Sequence, residues 1–228
     1  MSMRLSQLRQ QCRLFLASEA SWPDAMLDGF INAGIRAYSN ECPRRLCHTW
    51  TVTSGVQRYD LPGGHGFMRL LSVEYPAGQQ PPCYLTPIEP WDPDLFTRTN
   101  VYALHPVDDE VDANDDQILG HIVFGKPAVT GEAAILIYEA VHTLLSSDDD
   151  VVTVPEAHLE AIMAFVDFRA HWEAESDEAY SAASSSLILS QLGENGRRAW
   201  NRWREMMGRL RPLGGWQRVN PVWDYIGL

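Results

Sequence analysis

Two thiols and an imidazole fall within seven residues in CPRRLCH, Cys42 to His48. Thiolate and imidazole are zinc ligands, but structural zinc usually draws on two tight ligand pairs. Here the fourth ligand would have to come from Cys83 or a distant histidine. Haem attachment needs two residues between the cysteines, and four lie between Cys42 and Cys47. The simpler reading is a loop leaving a helix, with cysteines reduced as in a cytoplasmic protein. The glycine-rich LPGGHGF (61–67) lacks the Lys-Ser/Thr ending of a phosphate loop and leads into no helix, so it reads as a hairpin turn between QRYDL and FMRLLSVEY. The acidic DDEVDANDD (108–116) offers carboxylates to calcium. It lacks the glycine and the closing glutamate that a calcium loop requires, and is read as a solvated loop between Tyr102 and Ile122. His48, His65, His105, His121, His142, His158 and His171 are scattered, and no Gly-x-Ser-x-Gly or His-Glu-x-x-His pattern occurs. Nothing assembles a nucleophile, a base and an oxyanion site. The sequence therefore predicts a protein without a catalytic centre, metal or cofactor.

The C-terminal quarter is different. Seven arginines fall between Arg197 and Arg218, with only Glu194 and Glu205 close by. They precede GGWQRVNPVWDYIGL (214–228), where Trp216, Trp223, Tyr225, Ile226 and Leu228 follow a double glycine and straddle a proline. Termini are ordinarily polar. The arginines either pair with the chain's own acid or meet a partner; the tail either straps its own core or docks elsewhere. A docking tail gains most when many copies act together, which points to a ring. The net charge of −12 excludes a general nucleic-acid binder, and Lys126 is the only lysine. Arginine is the better residue for forked contacts with carboxylates, although a GC-rich genome produces the same bias.

Three regions position these residues. Up to about residue 42 the pattern is helical. Leu5, Leu8, Cys12, Phe15 and Leu16 share one helix face; Met26, Leu27, Phe30, Ile31, Ile35 and Tyr38 form a second, entered through a Ser21-to-Asp24 cap with Pro23 and stopped by Pro43. From about 48 to 154 the period changes. HTWTVT, QRYDLP, FMRLLSVEYP, VYALHP, HIVFGKP and AAILIYEAVHT read as strands separated by Gly, Pro and Asp clusters. Helix returns at Pro155, with Leu159, Ile162, Met163, Val166 and Ala170 on one face. A serine-weakened second helix (DEAYSAASSSLILSQLGENG) and a last amphipathic turn or two carrying Trp200, Trp203, Met207 and Leu210 follow.

The predicted fold class is α+β: a helical bundle built by both chain ends, with an inserted antiparallel β-sandwich or barrel-like module and an extended C-terminal tail. The expected divisions are 1–46, 47–154, 155–211 and 212–228. No run of eighteen apolar residues occurs, so no helical membrane span is expected. The N-terminal stretch lacks a secretory h-region, which predicts folding in a cytoplasm.

The stretch LSQLRQQCRLFLASEASWPDAMLDGFINAGIRAYSNECPRRL, with its tryptophan-led second helix, resembles the head-to-tail adaptor (connector) proteins of tailed bacteriophages. So does the order of elements, with its YDLP turn, FMRLLSVEYP and VTVPEAHLEAIMAFVDFRAHWEAESDEAY, over most of residues 3–192. The resemblance implies a virion structural protein of the neck, assembled in host cytoplasm. Its partners would be the portal protein, a tail (nozzle or tube) protein and its own copies in a twelvefold ring. Double-stranded DNA would pass through the channel without sequence-specific binding. In such adaptors the helical domains usually surround the channel, the β modules face outward or toward the tail, and in several a C-terminal extension climbs onto the portal. That role would fall here on Arg197, Arg198, Arg202, Trp216, Trp223, Tyr225, Ile226 and Leu228. Competing readings are another neck or tail component, such as a head-completion or fibre-anchoring protein, and a metal-dependent enzyme using Cys42 and Cys47.

Overall fold

A computed structural model describes residues 3–16, 22–62, 66–111, 117–125, 131–180 and 186–210. The fold is α+β and forms two compact units. One combines residues 1–43 and 142–228, and the other is the intervening 44–141. The boundary after the sheets lies earlier than the strand-like composition predicts, because residues 142–154 pack with the helices. Leu145, Val152 and Val154 are buried in the helical core. Asn32 brackets Leu145, donating from Nδ2 to its carbonyl and accepting its N–H, both at 2.8 Å.

The helical unit contains α1 (Leu5–Leu16), α2 (Asp24–Glu41), α3 (Leu159–Tyr180) and α4 (Ser186–Leu210). In α1 the apolar positions Leu5, Leu8, Cys12 and Leu16 are buried as their spacing predicts, and Phe15 is half-buried. Arg9 is buried among them and is satisfied by acids (below). Helix α2 begins at Asp24 behind an extended Pro23 that makes no side-chain cap bond, so Pro23 stands just outside the first turn. Ser21 of the expected cap lies outside the described residues. Gly34 lets α3 approach closely: a Cβ there would meet Phe165 Cδ1 at 3.3 Å and Ile162 Cγ2 at 3.4 Å. Pro155 precedes a 3-10 turn, Glu156–His158, that leads into α3.

Helix α4 differs from expectation. Of the expected weak helix, DEAY (177–180) ends α3, while the part from Ser186 and the separate last turns are one 25-residue element running through Gly193, Gly196 and Gly208. Tertiary packing overrides the propensity cost of these glycines, about 1 kcal/mol each. Gly196 is buried, and a side chain there would touch His171 Cβ at 3.5 Å. Further along, an aromatic seam joins α3 to α4. Phe168 lies 4.9 Å from Trp200, Trp200 stacks at 4.8 Å on Trp203, and Trp203 meets Phe165 edge-on at 5.5 Å.

The inserted unit holds β1 (Arg44–Thr51), β2 (Arg58–Asp60), β3 (Phe67–Glu74), β4 (Thr86–Pro87), β5 (Val101–Val111), β6 (Gln117–Phe124) and β7 (Ala133–Ala140). Among the described residues they form two open sheets, ordered β1-β7-β3 and β2-β6-β5-β4, with no closed barrel. Central β7 buries alternate residues, Ala134, Leu136, Tyr138 and Ala140. Aromatic contacts link the sheets: Trp50 stacks on Tyr59, and Phe124 meets both Tyr59 and Tyr75.

Three strand-level expectations change. β2 pairs with β6, and β3 with β7, so LPGGHGF carries the chain from one sheet to the other and is no hairpin turn. Within β3, two register shifts leave every third residue buried, Phe67, Leu70 and Val73, as bulges do. The acidic run is not a loop throughout, since β5 reaches Val111 and Glu110 pairs with Ile118; 112–116 lie outside the described residues. One pair, β4 with β5, is parallel, whereas the prediction was wholly antiparallel.

Candidate interaction surface

The residues first suspected of chemistry serve packing. Cys42 Sγ lies 3.6 Å from the Leu210 carbonyl, whereas Cys47 is exposed on β1 and His48 packs edge-on against Trp50. Burial pushes the Cys12 thiol up to about 12, which keeps it protonated and unreactive. His142 is held between Thr153 Oγ1 at 3.1 Å and the Cys42 carbonyl at 3.2 Å. His158 Nδ1 lies 2.5 Å from the Tyr38 hydroxyl, whose pKa burial raises above the ordinary tyrosine range. Buried His121 sits between Asp60, 2.8 Å from Nδ1, and the guanidinium of Arg58 at Nε2. Among the described residues no three His, Cys, Asp or Glu side chains converge as a metal site would require.

The arginines divide by what they touch. Arg202 turns back onto the bundle, bonding Glu160 of α3 at 2.6 Å and lying 4.9 Å above the Phe15 ring of α1. Arg198 pairs with Glu194 at 3.4 Å, and Arg209 pairs with Glu205 one turn away; all four side chains are well exposed. Such pairs are worth about 0–1 kcal/mol and leave the guanidinium heads available. Arg197 and Arg204 are exposed and form no ion pair among the described residues. Seven residues apart, they lie on one face of α4, with exposed Asn201 between them. Trp216, Trp223, Tyr225, Ile226 and Leu228 lie outside the described residues.

A second exposed feature escaped the sequence reading. In PIEPWDPDLF (87–96) Trp91 is 78% exposed and Phe96 is 66% exposed, while Leu95 between them is fully buried. The available signal was a pair of large aromatics inside a proline- and aspartate-rich turn, where strands and helices have no use for them.

The family model described as SU10 adaptor protein matches residues 3–213, nearly the whole chain. The chain belongs to the SU10 adaptor protein family. It is thus a phage head-to-tail adaptor, a virion structural protein, as the resemblance implies. No curated protein matches the adaptor. The matched span includes the α4 arginines and stops short of the tail aromatics. No helix among the adaptor's described residues is long and apolar enough to cross a membrane.

Proposed function

We propose that the adaptor joins the phage head to its tail by forming a ring, of twelve copies, that docks on the portal and extends the DNA channel in the neck. The observation that carries this reading is the family match over residues 3–213. The ring's other face receives the tail protein. Assembly takes place in host cytoplasm, and the protein's work is adhesion, with no reaction catalysed.

Portal docking falls to the tail, with Trp216, Trp223, Tyr225, Ile226 and Leu228 as anchors, while Arg197 and Arg198 of α4 meet the portal or a neighbouring copy and Arg202, held by Glu160, steadies the helix that carries them. Aromatic and arginine side chains are the usual energetic centres of interfaces. One tail binds weakly, but twelve tethered tails raise the effective concentration of every later contact. The charge of −12 supports DNA passage, because an acidic channel wall repels phosphate and lets the duplex slide.

The test is binding of purified adaptor to purified portal, with and without residues 212–228. The full chain is expected to form a saturable complex of defined copy number. The truncated chain is expected to lose it while keeping its own melting temperature. A truncated chain that docked normally would remove the tail from the interface, and a full chain that ignored portal in every condition would overturn the adaptor ring.

A further inference from the structure

A loop that presents a tryptophan and a phenylalanine to water, yet is rigidly built, calls for a covering partner. Leu95 is fully buried against Val101 and Ala103, pinning the loop at its centre. Asp92 Oδ1 accepts the Asp94 N–H at 2.8 Å, and the Asp94 carbonyl accepts from the amides of Thr97 and Arg98 at 3.1 and 3.0 Å. The Arg98 side chain returns to Asp94 at 2.6 Å. Gly125 lies against the far side; a Cβ there would come within 2.5 Å of the Leu95 carbonyl and 2.6 Å of the Arg98 carbonyl. Trp91 and Phe96 are therefore held outward before any partner arrives. Preorganisation of this kind lowers the ordering cost of binding, and exposed apolar surface on a fixed frame marks an interaction site.

The charge around these rings selects the partner. Glu89, Asp92 and Asp94 give the loop an excess of acid, with Arg98 as its one cation; one Glu89 carboxylate oxygen is buried, so the acid turned toward a partner comes from Asp92 and Asp94. The complementary surface occurs in the same polypeptide: the exposed α4 face of Arg197 and Arg204, which form no ion pair among the described residues. Guanidinium groups pair with carboxylates and stack on indole and phenyl faces, so one arginine face can satisfy both halves of the loop.

We infer that the loop bearing Trp91 and Phe96 docks on the Arg197–Arg204 face of α4 in a second copy of the chain. Two different patches of one chain then meet head-to-tail, the arrangement that closes into a ring when the rotation permits. This rests on the ring proposed above and names its subunit contact.

Phe96→Cys and Arg204→Cys are made in separate full-length chains, each also carrying Cys47→Ser to remove the exposed native thiol. Each is assembled on portal alone and in an equal mixture, oxidised mildly, and run without reductant; native mass of the same samples gives the oligomer size. The expected result is a disulfide-linked dimer in the mixture and in neither chain alone. Trp91→Ala/Phe96→Ala and Arg197→Glu/Arg204→Glu, both with unchanged melting curves, are expected to weaken oligomerisation by about tenfold or more. Full-sized oligomers with no mixed disulfide and no effect of either double variant would overturn the loop contact and leave the ring standing. Wild-type chains that stay monomeric on portal would overturn both.

Discussion

At the residue scale the most consequential side chain is Arg9, a charge inside an apolar helix face. Its guanidinium grips Asp28 through two bonds of 2.8 Å, reaches Asp148 at 3.0 Å and lies 3.4 Å from Asp24. The hydrogen bonds to Asp28 raise its pKa above the ordinary arginine range in spite of burial. Truncation removes the charged bonds to Asp28 and Asp148, so Arg9→Ala is expected to cost about 1.5–3 kcal/mol in urea unfolding. Arg202→Ala, which breaks a half-exposed pair, should cost about 0–1 kcal/mol. Equal losses would mean that Arg9 is no special brace. His105 is one residue that makes stability depend on pH. Burial first, then the charge of Arg58 and the neighbouring His121, lower its pKa below the ordinary value of 6.5. The unfolded chain therefore takes up the proton more readily, and the stabilisation from neutral His105 is present above about pH 6.5 and lost as pH falls. Between pH 7 and pH 5 the melting temperature of His105→Gln is expected to fall less than that of wild type. Parallel curves would contradict this.

Elements here are decided by close approach as much as by propensity. Gly125 ends β6 where the backbone of the 93–98 turn presses against it, leaving no room for a methyl group. Gly125→Ala must displace that turn, and a loss of about 1–3 kcal/mol is expected, as for overpacking elsewhere. Faster amide exchange in residues 88–98 would show that the strain falls on the aromatic loop; an unchanged exchange pattern would show that it does not. Helix α4 illustrates the converse. Its glycines and serines argued for two weak pieces, yet the aromatic seam with α3 and the approach of Gly196 to His171 hold one continuous helix. β2 and β3 carry a related lesson. Their strand character was legible, but which strand each would pair with depends on sheet order, which a local pattern does not encode.

For the whole molecule, the proposed function rests on surfaces that would meet other chains. With the tail as the multivalent element, deleting 212–228 is expected to weaken portal association by about a hundredfold or more, since avidity is lost from every copy together. The loop and the α4 face act between copies, so their removal should reduce oligomer size before it reduces portal affinity. Surface plasmon resonance on immobilised portal, run beside native mass measurements, separates the two. A tail deletion that shrank the oligomer while sparing portal affinity would reverse these assignments.

What the sequence by itself determined is the division of periods. Helical spacing at both ends, strand spacing between, and the landmark residues of an adaptor were all present in local order, because amphipathic periodicity is a property of neighbours along the chain. The C-terminal arginines were legible as unusual for the same reason. Only the tertiary structure decided which of them are spent internally. Arg202 finds Glu160 forty-two residues away, and Arg197 and Arg204 form no such pair among the described residues. It also decided that Leu95 points inward while Trp91 and Phe96 point out, because that choice follows from where Gly125, Val101 and Ala103 arrive in space.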